Sequence, residues 1–138
     1  DGKSEPLPSF ELGAKTEEAA TAGGPLPIDV AVDADGVYWL DAAGSPDIPV
    51  RLMALRKNTV VPTVVVARVS FYPDGLIAHE GSLYWRANAA VMKAPKTGGE
   101  ETLVVRSTSV PPKLDSFTIA GGEVLWVDGK RIFVEPAP

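Results

Sequence analysis

From residue 28 onward, apolar positions come in short runs that alternate with polar ones. Asp29-Val30-Ala31-Val32-Asp33 and Val37-Tyr38-Trp39-Leu40-Asp41 are typical, and each run is bounded by Gly, Pro, Asn or Asp. Runs of this length with a period near two are the pattern of strands, not of helices. The pattern predicts eleven strands. A first set opens each group: Asp29–Asp33, Gly75–His79 and Ser116–Ala120. A second set follows at Val37–Asp41, Leu83–Ala87 and Val124–Asp128. A third covers Arg51–Arg56, Ala90–Ala94 and Arg131–Glu135. A fourth has two members, Pro62–Ala67 and Glu101–Arg106. Asp35-Gly36, Glu80-Gly81 and Gly121-Gly122 separate first from second strands, and such pairs are expected to make tight hairpins by accepting positive φ.

The groups repeat. The three tryptophans, Trp39, Trp85 and Trp126, all stand in second strands, within Val37-Tyr38-Trp39, Leu83-Tyr84-Trp85 and Val124-Leu125-Trp126. Aligning them brings Val30-Ala31-Val32 onto Leu76-Ile77-Ala78 and Phe117-Thr118-Ile119 without gaps. Met53, Met92 and Phe133 then recur at spacings of 39 and 41 residues. The first group carries seven extra residues within Asp41–Val50, and the third has no fourth strand before Pro138. Four short strands at a period of about 40 residues are the pattern of a propeller blade. In such a sheet both faces are covered, and a wide indole fills the gap between neighbours, so the tryptophans are expected to be structural packing residues.

On VAVDADGVYWLD (31 is its second position), LYW with the later VMKAPKTGG, and VLWVD, the chain resembles the YWTD-type β-propeller repeats of the low-density-lipoprotein receptor family. It is most similar to those of bacterial exported propeller proteins. The resemblance spans about residues 28 to 136 and implies an all-β propeller with three four-stranded blades, half of a six-bladed ring. The blades are expected at about 28–68, 69–109 and 110–138, the last without its outer strand. Rings of this kind have six or seven blades, and three are present here. The aspartate that closes the motif is Asp41 and Asp128 but becomes Ala87 in the second copy.

Residues 1–27 read differently, as a Pro- and Ala-rich arm or linker, with one alternating piece at Ser9–Leu12 and room for a helical turn within Ala14–Ala22. The chain starts at Asp1, which fits removal of an export signal or trimming. An extracytoplasmic location (periplasm, cell surface or secreted) is therefore expected.

Charge and chemistry narrow the function only by exclusion. A net charge of −5 disfavours nucleic acid and anionic lipid. There is no cysteine, and no apolar run approaches a membrane span. No cofactor is expected. The single His79 lacks a companion nucleophile or metal ligand. Asp33, Asp35 and Asp41 lack the rest of a calcium loop and read as turn residues. Gly98-Gly99 reads as a turn. Arg51, Arg56, Lys57 and Arg68 read as a solvated basic cluster.

Candidate binding residues are fewer. Asp29, Asp74 and Asp115 recur at or just before the start of each first strand, at spacings of 45 and 41. Arg86 stands where its counterparts Leu40 and Val127 are apolar, so it is expected either to donate hydrogen bonds between blades or to line a pocket. Ser45 and Asp47 lie in the seven-residue insertion, a plausible recognition loop. The expected function is a non-enzymatic exported binding or scaffold module for a protein or glycan. The alternatives are a propeller hydrolase or lyase with its site at the central channel, or a subunit of a larger assembly. Three blades leave two open ends, so a homodimer of six blades is expected, with another chain supplying the missing blades as the rival. In the dimer, the Ser9–Leu12 piece is expected to latch onto the partner's third blade as the missing outer strand.

Overall fold

A computed structural model describes residues 26–42, 47–70 and 72–137. The Ser9–Leu12 latch, the helical turn expected in Ala14–Ala22, and Ser45 lie outside the described residues. Among the described residues the chain is all-β, with eleven strands and no helix. Sheet 1 holds β1 (Pro27–Val32), β2 (Gly36–Asp41), β3 (Arg51–Arg56) and β4 (Thr63–Val66), in that order. Sheet 2 holds β5 (Pro73–His79), β6 (Ser82–Ala87), β7 (Ala90–Pro95) and β8 (Thr102–Arg106), also in chain order. Sheet 3 holds β9 (Ser116–Ala120), β10 (Glu123–Asp128) and β11 (Arg131–Pro136). Every neighbouring pair is antiparallel.

The eleven expected strands are all present, with shifted ends. β4 omits Pro62, which has no N–H to give the ladder. Two hairpin turns behave as expected. Glu80-Gly81 links the paired His79 and Ser82 with Glu80 at positive φ, and Gly121-Gly122 links Ala120 and Glu123 with both glycines at positive φ. The first turn differs from the expectation. Neither Asp35 nor Gly36 has positive φ. Asp33 Oδ1 instead accepts the amide hydrogens of Asp35 and Gly36, and Asp33 N–H donates to Gly36 O at 3.1 Å. The loop between the paired Val32 and Val37 is four residues long, and the side chain of its first residue organises it.

Two cores hold the sheets together. The first joins Tyr38, Leu40, Leu52 and Ala54 of sheet 1 to Leu76, Leu83, Trp85 and Ala94 of sheet 2. The second joins Tyr84, Val91 and Val105 of sheet 2 to Val124 and Trp126 of sheet 3. Sheet 2 is therefore covered on both faces, because successive side chains of β6 point to opposite sides. Leu83 and Trp85 face sheet 1, and Tyr84 faces sheet 3. All three tryptophans are buried. Trp39, Trp85 and Trp126 each stand opposite the matching residue of the next strand, Met53, Met92 and Phe133. Trp126 also stacks on Phe133 with ring centroids 4.1 Å apart. Trp39 belongs to neither core.

Candidate binding site at the starts of the first strands

β5 lies beside both β1 and β9, so the first strands of the three sheets run as neighbours. Near their starts stand Asp29, Asp74 and Asp115, and the structure gives each carboxylate a different set of partners. Asp29 Oδ2 accepts the Leu76 amide of sheet 2 at 2.8 Å, while its Oδ1 accepts the Val30 amide. Asp74 takes both arms of the Arg86 guanidinium, with Nε at 2.6 Å from Oδ1 and Nη2 on Oδ2. Asp115 Oδ2 accepts the Gly129 amide at 2.8 Å, and its Oδ1 is 2.8 Å from Lys113 Nζ.

Arg86 joins two of these positions. Its Nη1 donates to Leu114 O at 2.9 Å and to Asp115 O. The guanidinium therefore ties sheet 2 to the segment that leads into β9, and it also lines the cavities described below. The hydrogen bonds to Asp74, which outweigh burial, hold Arg86 more firmly protonated than an ordinary arginine. The Lys113 ammonium and the Gly129 amide hold the Asp115 carboxyl below the usual carboxylate range.

Gly75 makes this corner possible. It sits in the register shift between Asp74 and Ile77, with φ of +65°. A Cβ there would stand 3.4 Å from the Phe117 ring of β9. A larger residue would be strained by its backbone and crowded by the ring.

Two adjoining cavities open here. One, of about 350 Å³, is lined by Tyr72, Asn88, Lys113 and the Asp74–Arg86 pair, among others. The other, of about 250 Å³, lies between Asp74, Arg86, Asp115 and Phe117. Asp74, Arg86 and Asp115 are thus brought together, and Asp29 is placed on the β1 side. The walls offer carboxylates, amide and ammonium groups to a small polar ligand. The charges already neutralise one another, so the arrangement suits binding through exchange of hydrogen bonds. Replacing Arg86 with Leu is expected to cost about 1–2 kcal/mol in denaturant unfolding, since it leaves a half-exposed carboxylate and two carbonyls without their donor. A loss of under about 0.3 kcal/mol would show that the bridge does not hold the sheets together.

The other sequence candidates lie elsewhere. Asp47 is exposed in the insertion. His79 Nε2 is 3.9 Å from Glu80 Oε1. Asp33 and Asp35 share the Lys96 ammonium, and Asp41 pairs elsewhere. Asp41 is buried, 2.7 Å from Arg51 Nη2, and accepts the Leu26 amide. Asp128, its counterpart, accepts from Ser107 Oγ at 3.1 Å and lies 3.6 Å from Arg131. No group of three or more His, Asp or Glu side chains suited to a metal occurs among the described residues.

The basic cluster is corrected by these contacts. Arg51 is committed to the buried Asp41, and Arg56 Nη2 donates to Lys96 O at 2.5 Å. Only Lys57 and Arg68 of the four are exposed. A charge that shapes the chain was missed altogether. Lys96, in the turn after β7, reaches back from sheet 2 to the β1–β2 turn of sheet 1, onto Asp33 and, at 3.1 Å, Asp35. Its ammonium also lies 5.9 Å above the Tyr38 ring.

Among the described residues, no helix is long and apolar enough to cross a membrane. No family model matches the chain, and no curated protein matches it.

Proposed function

We propose that the chain is a non-enzymatic binding or scaffold module of the β-propeller type, exported from the cytoplasm, in which each sheet is one blade and a second copy completes a six-bladed ring. One observation carries the reading. The middle sheet is covered on both faces, whereas sheets 1 and 3 each turn one apolar face away from the others. Val30 and Val32 of β1 are 58% and 64% exposed, and Ile132 and Val134 of β11 are 73% and 52% exposed. Soluble monomers seldom leave sheet faces of this kind uncovered, and stacked repeats end in polar caps. Closing the ring removes both ends at once.

The YWTD-like pattern and the once-per-sheet aspartates fit this reading. So does the chemistry at the first strands, where Asp74, Arg86, Asp115 and Lys113 are engaged with one another or with backbone groups. A ligand at such a corner, a protein segment or a glycan, would be held by hydrogen bonds to groups already in place. An enzyme of the hydrolase or lyase type would need a carboxylate left available for proton transfer.

Light scattering on the purified chain at micromolar concentration tests the self-association. The expected mass is twice 14.5 kDa. A folded monomer would defeat the reading.

A further inference from the structure

Resting on that self-associating reading, we infer that the two open faces dock on each other head to tail: the sheet 1 face carrying Val30 and Val32 receives the sheet 3 face carrying Ile132 and Val134 of a second copy. The internal junctions supply the template. Call the tryptophan-bearing side of a sheet its rear face and the opposite side its forward face. In both junctions a forward face packs on a rear face. Tyr38 and Leu40, the forward residues of β2, share the first core with Leu83 and Trp85, the rear residues of β6. Tyr84 of β6 shares the second core with Val124 and Trp126 of β10.

Register fixes which residues correspond. In sheet 1, Tyr38 pairs with Ala54 and Leu40 with Leu52. In sheet 2, Tyr84 pairs with Lys93 and Arg86 with Val91. In sheet 3, Leu125 pairs with Val134 and Val127 with Ile132. Leu52 and Val91 are buried by the sheet that follows them, yet Ile132, at the same place, is exposed. The rear faces show the mirror of this. Ala78, which pairs with Leu83, packs against the first core, and Ile119, which pairs with Val124, packs against the second. Val32, which pairs with Val37, is exposed.

The chain thus exposes one forward face and one rear face, each apolar at positions that its own junctions cover. Trp39 and Leu55 are buried on this rear face, and its exposed apolar residues are Val30 and Val32 of β1 and Val64 of β4. Docking either face on itself would repeat neither internal junction. Docking forward on rear repeats both, and a second copy is the occupant that carries the complementary face in the right register. Two such junctions close two copies into a ring with a two-fold axis.

Charge exchange tests the pairing. Val30→Glu and Val134→Lys alter exposed residues, so each variant is expected to keep its fold by circular dichroism. Masses are measured over a range of micromolar concentrations. Wild type is expected to be a dimer, and each single variant a monomer, with association weakened at least 10-fold. An equimolar mixture of the two variants is expected to dimerise again, because one of its junctions is unaltered and the other carries opposite charges on its two faces. If wild type dimerises but only one substitution weakens it, or the mixture stays monomeric, the head-to-tail pairing is overturned while self-association stands. A monomeric wild type overturns both.

Discussion

Trp85→Ala should cost about 3–5 kcal/mol of folding stability, the range for removing a large aromatic side chain from a packed core. Trp85 is fully buried and faces Tyr38, Leu40, Leu52 and Ala54 across the junction of sheets 1 and 2. Sheet 2 is bounded on the other side by the second core, which limits how far β6 can shift to refill the space. Trp126→Ala should lose a similar amount, with the stacking against Phe133 added to the lost volume. Trp39→Ala should cost less within one chain, since Trp39 lies outside both cores. Urea unfolding at one fixed protein concentration gives all three values. Losses under about 1 kcal/mol at both Trp85 and Trp126 would refute their role in joining the sheets.

The strands were legible because their signals are local. Alternation of apolar and polar residues, Pro62 at a strand end, and Gly pairs at hairpins act within a few residues. Arg86 could be singled out for a related reason. A guanidinium at a position that is Leu40 or Val127 in the corresponding strands needs partners of its own, and the structure supplies Asp74 and two carbonyls. The aspartates Asp29, Asp74 and Asp115 were legible as positions but not as partners, because a different set of neighbours engages each. The first hairpin escaped prediction because a side chain, Asp33, took over the work that positive φ was expected to do. Lys96 escaped because nothing near it in sequence explains it. A lysine in a Pro-Lys-Thr-Gly turn reads as solvated, and its partner Asp35 is 61 residues away.

Lys96→Met should cost about 2–3 kcal/mol at neutral pH. The variant keeps an apolar stem beside Tyr38 and removes only the charge. The Lys96 side chain is 8% exposed, and its ammonium bridges Asp33 and Asp35 across the two sheets. Taking one partner from a buried pair commonly costs more than this, but Asp35 reaches water and softens the loss. The turn itself should stay in place, because Lys96 N–H still donates to Gly81 O at 2.9 Å and Lys96 O still accepts from Arg56. The loss should depend on pH. Burial works against the charge of Asp33, but Lys96 and the amides of Asp35 and Gly36 outweigh it and hold the carboxyl below its usual value. A carboxyl so lowered stabilises the fold above its unfolded pKa of about 4, and that contribution fades as pH falls through the lower folded value. Burial likewise opposes the charge of Lys96, and the two aspartates outweigh it and raise its pKa. An ammonium so raised stabilises the fold fully below about pH 10.4, and that contribution fades as pH rises through the higher folded value. The stability gap between wild type and variant should therefore be widest near neutrality and close toward both extremes. Unfolding measured at pH 3, 7 and 10.5 and above would reveal this shape. A gap that stays constant across that range would mean that Lys96 contributes packing and not charge.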